Sequence, residues 1–245
     1  MEDSEAALKF RQLGLAATFA VTSAVGWGAV AGQSVAAAQL PAPECRYDDV
    51  LTQHHDRADW RISLLDTIYM VSRHYAPTRL VSVSRARIEG SGKVRPGVIS
   101  DLAAMAKAAR QAGAPLRVTS AYRDWSRQKY LYQREVEKFG LELGRQKVAR
   151  PGHSEHQLGT ALDFSSGGSS KSGWQYDDWG DTAAGTWIRK NGWKFGFVLS
   201  YPEGKTGVTC YIYEPWHYRY VGREMAADIH ASGLTVREYL WKNFE

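Results

Sequence analysis

The sequence has 245 residues, which suffices for one good hydrophobic core with an extension. Its formal net charge of +5 is modest and comes with no Lys/Arg run and no nucleic-acid motif, which argues against nucleic-acid binding and leaves an anionic surface or polymer as the suited setting. Charged residues at 23% and hydrophobic ones at 44% are ordinary for a globular protein, but nine Trp and thirteen Tyr are many, fitting either a Trp-rich core or a cleft for an extended ligand.

In chain order, the first feature is a span from Arg11 to Glu44 with no charged residue inside it, preceded by Lys9 and Arg11. It reads as an export segment, with small residues around Ala36 to Ala38 for cleavage and a Pro-containing linker behind them. An uncleaved membrane anchor is the rival, because the span is long enough to cross a bilayer; the Gly, Ser and Gln content from Gly28 onward favours cleavage. Residues 1–41 are thus assigned to an export signal or anchor plus linker, and the protein to a place outside the cytoplasm. The two cysteines, Cys45 and Cys210, fit that compartment as a disulfide tying the start of the mature chain to its C-terminal part.

Residues 42–76 are expected to form a helical extension, with apolar positions at Trp60, Ile62, Leu65, Ile68 and Met70. A helix follows over 97–113, closed by glycine, then a short strand in "PLRVTSAY". A second helix opens at Asp124 and closes at Gly140. "GTALDF" reads as a strand and "DTAAGTWIRKNG" as a helix capped by Asp181 or Thr182, with a Gly/Ser-rich loop between them. "WKFGFVLSY" and "YIYEPWHYRYV" read as the last strands, and the Thr235/Glu238 capping box opens a final short helix. This order of mixed elements predicts an α+β domain: a small, largely antiparallel sheet flanked by helices.

Chemistry concentrates in "GHSEHQLGTALDFSS", residues 152–166, and in "YEPWHYRY". Two imidazoles and one carboxylate are a common three-ligand shell for catalytic zinc, and His156, Asp163 and His217 supply it. Gly159 and Ala161 let the backbone pass tightly from the His156 loop into the Asp163 strand. Glu214 and His217 would point to opposite faces of an ideal strand, but Pro215 breaks the ladder and predicts a bulge or turn that brings them together. Glu214 is then free to act as general base toward water. His153 sits in a Pro-Gly loop and is not expected to ligate; His54 and His55 are read as solvated surface.

"SEHQLGTALDF" followed by "EPWHYRYVG" resembles the two metal motifs of the VanY-type zinc D-alanyl-D-alanine carboxypeptidases, and "SAYRDWSRQ" and "GFVLSYPEG" stand where that family has similar stretches. The resemblance covers residues 116–222 and departs from the pattern at no metal-motif position. It implies a hedgehog/DD-peptidase-like catalytic domain over 77–245, one Zn(2+) per chain, ligands His156, Asp163 and His217, and Glu214 as base. It further implies an oxyanion-stabilising role for Arg123 and substrate contacts for Gln128 and Ser154. Trp216 and Tyr218 wall the cleft or pack in the core, with Trp216 taken as the substrate contact. The implied reaction is removal of the C-terminal D-alanine from peptidoglycan stem peptides by a monomer, secreted or membrane-anchored at the cell wall. An L,D-carboxypeptidase or endopeptidase of the same fold, and a non-catalytic wall-binding module, are the alternatives.

Overall fold

Strand alternation divides this protein into a core side and a site side. The computed structural model describes residues 41–245, so the export signal or anchor plus linker expected over residues 1–41 lies, all but Pro41, outside the described residues. The described strands are β1 (Val50–Leu51), β2 (Tyr69–Met70), β3 (Val81–Ser82), β4 (Glu89–Gly90), β5 (Lys93–Val94), β6 (Leu116–Ser120), β7 (Ala161–Ser166), β8 (Phe197–Leu199) and β9 (His217–Tyr220). The helices are α1 (Ile99–Gln111), α2 (Trp125–Phe139), α3 (Leu141–Lys147), α4 (Ala183–Asn191), α5 (Thr206–Thr209), α6 (Arg223–Ser232) and α7 (Val236–Phe244). The main sheet runs β4-β6-β7-β9-β8; only β4 and β6 are parallel, so it is largely antiparallel as expected.

Leu162 and Phe164 of β7 share a face with Tyr218 and Tyr220 of β9, because side chains two apart point the same way. That face packs on Leu102, Met105 and Ala109 of α1 and Ile188 of α4, forming the principal core with Trp179 and Phe197. The other face carries Asp163, His217 and Arg219, all buried. A register shift between Val118 and Ser120 leaves Thr119 as a bulge, places Ser120 opposite Asp163, and lets the Thr119 hydroxyl donate to the Asp163 carbonyl at 3.1 Å.

Residues 42–76 correct the sequence expectation: they hold no helix. They form the parallel β1–β2 pair, turns, and a run from Ser63 to Ile68 that is buried throughout. An amphipathic helix would leave one face of that run in solvent, whereas all six of its residues are buried. Trp60 joins the principal core, Leu64 a second cluster with Val221, Ile229 and Leu240, and Leu65, Val71 and Tyr75 a third around Leu158. The expected Cys45–Cys210 disulfide is present, and Arg237, ion-paired with Asp66 at 2.6 Å, also donates to the carbonyls of Pro43 and Val208.

The last two strand expectations are shortened. Only Phe197–Leu199 of "WKFGFVLSY" and His217–Tyr220 of "YIYEPWHYRYV" pair as strands, because Gly192–Phe195 coils into a 3-10 turn and Pro215 keeps the preceding residues out of the ladder. The helices α3, α5 and α6 were not anticipated. Gly144 lets α3 lie on α2, since a Cβ there would come within 2.8 Å of the Val136 Cα. Among the described residues no helix is long and apolar enough to cross a membrane.

Candidate metal centre

Asp163 and His217 are direct partners in the β7–β9 ladder, so the sheet itself delivers an aspartate and a histidine side by side. His156 comes from elsewhere: a 3-10 turn over Glu155–Leu158 ends at Gly159, whose φ of 75° is left-handed, and the chain then enters β7. The compact turn is what closes the seven-residue interval between the two ligands.

The ring nitrogens are sorted by their partners. His156 Nδ1 donates to the Ala121 carbonyl at 2.6 Å, which leaves Nε2 facing Asp163 Oδ2 at 3.3 Å, buried and without a hydrogen bond. His217 Nε2 donates to Glu155 Oε2 at 2.8 Å, which turns Nδ1 toward Asp163 Oδ1 at 3.1 Å. The three ligand atoms lie within 4.8 Å of one another, and all three residues are buried. Two nitrogens and one carboxylate oxygen fit a catalytic zinc shell, and the orphaned His156 Nε2 is an atom that such an ion would satisfy.

Glu214 reaches the same place through the turn that Pro215 enforces. The His217 amide donates to the Glu214 carbonyl at 3.1 Å, and Glu214 Oε2 lies 3.8 Å from His217 Nδ1. Burial pushes the Glu214 carboxyl up to about 7, against the pull of His217, so it sits where it can take and return a proton near neutrality. Arg123 enters from the other side. Its Nη1 donates to Ser120 Oγ at 3.0 Å and lies 3.4 Å from Asp163 Oδ2, while Nε donates to Gln128 Oε1 at 2.9 Å.

The remaining expected residues are less directly placed. Gln128 is fully buried and its amide also donates to the Ala149 carbonyl, so in this structure it holds Arg123. Ser154 is buried at the start of the 3-10 turn. Trp216 packs on the principal core and meets Trp174 edge-on at 6.4 Å, and Tyr218 is a core residue against Phe164. His153 is buried between the Asp66 carbonyl and Asp49, away from the ligand set. His55 is exposed as expected, whereas His54 is half-buried and bonded to the Phe244 carbonyl.

Three polar residues of the site were missed. Glu155 accepts from His217, from Ser200 Oγ at 2.6 Å and from Arg219 Nη1 at 3.1 Å. Burial alone would raise the Glu155 carboxyl, but Arg219, His217 and Ser200 hold it down to about 2. The signal for Arg219 was available: it lies two residues past His217 on the same strand face. The Tyr201 ring packs at a 34° tilt with its centroid 4.8 Å from that of His217, and only its place in "GFVLSYPEG" hinted at it.

Residues 91–223 match the VanY family, D-alanyl-D-alanine carboxypeptidase. The chain is 36% identical over 187 residues to the putative carboxypeptidase YodJ of Bacillus subtilis (strain 168), covering 74% of this chain and 67% of that one. It superposes on the LD-carboxypeptidase LdcB with a TM-score of 0.69 at 33% identity, covering 82% of this chain and 94% of that one. On the vancomycin-resistance D,D-pentapeptidase VanY in complex with Zn(II), the TM-score is 0.62 at 30% identity, with 74% and 99% covered. Across the curated relatives it matches, the chain spans from about a third to two thirds of their lengths.

Proposed function

Because the chain belongs to the VanY D-alanyl-D-alanine carboxypeptidase family, we propose that this peptidase is zinc-dependent and removes the C-terminal D-alanine from peptidoglycan stem peptides. The observation that carries the reading is Glu214 beside the His156, Asp163 and His217 set, since a purely structural metal site has no use for a raised, buried carboxylate at its edge. His156, Asp163 and His217 would hold the zinc, which would supply Lewis acidity toward a carbonyl and lower the pKa of water to roughly 7.

The chain's own groups do the rest. Glu214 takes a proton from the attacking water as a carbon–oxygen bond forms at the peptide carbonyl. Arg123, fixed by Ser120, Asp163 and Gln128, faces the negative charge that develops on the carbonyl oxygen. The carbon–nitrogen bond then breaks and Glu214 returns its proton to the departing amine, releasing D-alanine and a shortened stem. Ser154 lies two residues from His156 at the start of the same turn, and the family likeness assigns it the contact with the substrate's terminal residue, while Gln128 acts on substrate through Arg123. The disulfide and the uncharged span before Glu44 support a site of action outside the cytoplasm, at the wall.

The LdcB likeness favours a second reading, an L,D bond in a tetrapeptide stem. Incubating zinc-loaded protein with pentapeptide and tetrapeptide stems, and weighing the products, separates the two. Loss of one D-alanine from the pentapeptide by the parent, and not by Glu214→Ala, is the expected result. Trimming of the tetrapeptide alone would transfer the assignment to the L,D reaction, and no turnover of either would overturn both.

A further inference from the structure

We propose that Glu155 and Arg219 are positioning residues of the metal centre, through which the segment 48–75 braces His217, and that the same segment braces the His156 loop directly, although it lies outside the family-matched block. The proposal rests on the metal reading above.

The line of contacts is continuous. His217 Nε2 donates to Glu155 Oε2 at 2.8 Å, and Glu155 Oε1 accepts from Arg219 Nη1 at 3.1 Å. Arg219 Nη2 donates to the carbonyls of Ser63 at 2.8 Å, Trp60 at 3.0 Å and Arg61 at 3.3 Å. Arg219 is fully buried and Glu155 nearly so. A buried ion pair is a poor source of stability, because desolvation offsets most of its attraction. What it does supply is orientation. A carboxylate fixed on Nε2 makes that nitrogen the donor and leaves Nδ1 as the lone-pair side, aimed at Asp163.

The same segment holds the loop of the other histidine. The Val71 amide donates to the Gly152 carbonyl at 3.0 Å, and His153 Nδ1 donates to the Asp66 carbonyl at 2.8 Å. Gln157, next to His156, donates to the carbonyls of Ser72 at 3.1 Å and Tyr75 at 3.3 Å. Backbone carbonyls and one amide from a single stretch of chain, Trp60 to Tyr75, thus set the position of both imidazoles, and that stretch lies wholly outside residues 91–223.

The test uses the full chain, with Zn(II) affinity from competition against a chromophoric chelator and the visible absorption of Co(II)-loaded protein as readouts. Glu155→Gln removes the charge and the Arg219 pair; Arg219→Lys keeps the charge but cannot span Glu155 and three carbonyls. Zinc binding is expected to weaken roughly 10- to 100-fold in Glu155→Gln and about tenfold in Arg219→Lys, with shifted Co(II) bands in both. Ser200→Ala, which leaves both charges in place, is the milder variant should Glu155→Gln fail to fold, and it too should weaken zinc measurably. Thr182→Ala is the control: it removes the hydroxyl that caps α4, lies outside both segment 48–75 and the ligand set, and should lower stability while leaving affinity and bands unchanged. Affinities within twofold of the parent in folded Glu155→Gln and Arg219→Lys, or an equal loss in Thr182→Ala, would overturn the positioning role. A parent chain that binds no zinc one-to-one would overturn the metal reading and the brace with it.

Discussion

Arg123 and Gln128 act as one device: the guanidinium Nε donates to the Gln128 side-chain oxygen at 2.9 Å, and the Gln128 amide nitrogen is itself anchored on the Ala149 carbonyl at 2.7 Å. The arginine is thereby aimed before any substrate arrives. Removing a preorganised group that meets charge only in the transition state lowers kcat more than it raises KM.

Arg123→Ala is therefore expected to lower kcat by about 10²- to 10³-fold. Arg123→Lys should recover little, because one ammonium cannot occupy the Ser120, Asp163 and Gln128 positions together. Gln128→Ala should reduce kcat in the same direction and by less. Steady-state kinetics on a pentapeptide stem check all three; a KM effect with kcat unchanged would contradict the assignment.

Metal removal should be visible without any substrate. A ligand at 1,000 times its dissociation constant stabilises the folded state by about 4 kcal/mol. Thermal melts of the full chain should fall on treatment with a chelator and recover on adding Zn(II). In His156→Ala the zinc-dependent rise should disappear, since the shell loses one of its three ligands.

Cys45 and Cys210 join positions 165 residues apart. Replacing both with serine, or reducing the bond, is expected to cost about 2–5 kcal/mol in denaturant unfolding. Partial proteolysis should then open the chain first near Cys45, whose segment is otherwise tied by the Pro43 carbonyl to Arg237 and by Asp48 and Asp49 to Arg150.

Gly159→Ala tests the turn that closes the two-ligand interval. Its left-handed φ costs an L-residue about 1–2 kcal/mol, and the added Cβ would press on Pro77 Cγ at 3.0 Å and Leu80 Cδ2 at 3.1 Å. Lower stability together with weaker zinc binding is expected, measured by melting and by chelator competition. Unchanged zinc affinity would mean that the turn does not set the His156 position.

The ligand set was legible because each member sits in a short motif whose spacing has a local cause: Gly159 for the turn, Pro215 for the break before β9. The strands and helices with clear periodicity were legible for the same reason. Residues 42–76 were not, since the run Ser63–Ile68 is buried on every side and shows no amphipathic period, and the apolar residues around it mimic an irregular helix. Glu155 was hidden by its neighbours: between Ser154 and His156 it reads as ordinary motif filler until the fold brings Arg219 and Ser200 against it. Contacts formed across such distances in sequence leave no local trace.

The pairing of Asp163 with His217 has a meaning for folding as well as for chemistry. Side chains alternate along strands, so slipping β9 by one residue against β7 would turn the histidine into the helix-packed core and set Tyr218 opposite the aspartate. An ion shared by these two side chains cross-links neighbouring strands in the one alignment that also buries Phe164 and Tyr218 correctly. Zinc would then serve as a proofreader of strand alignment, rewarding the correct register during refolding before any peptide is met.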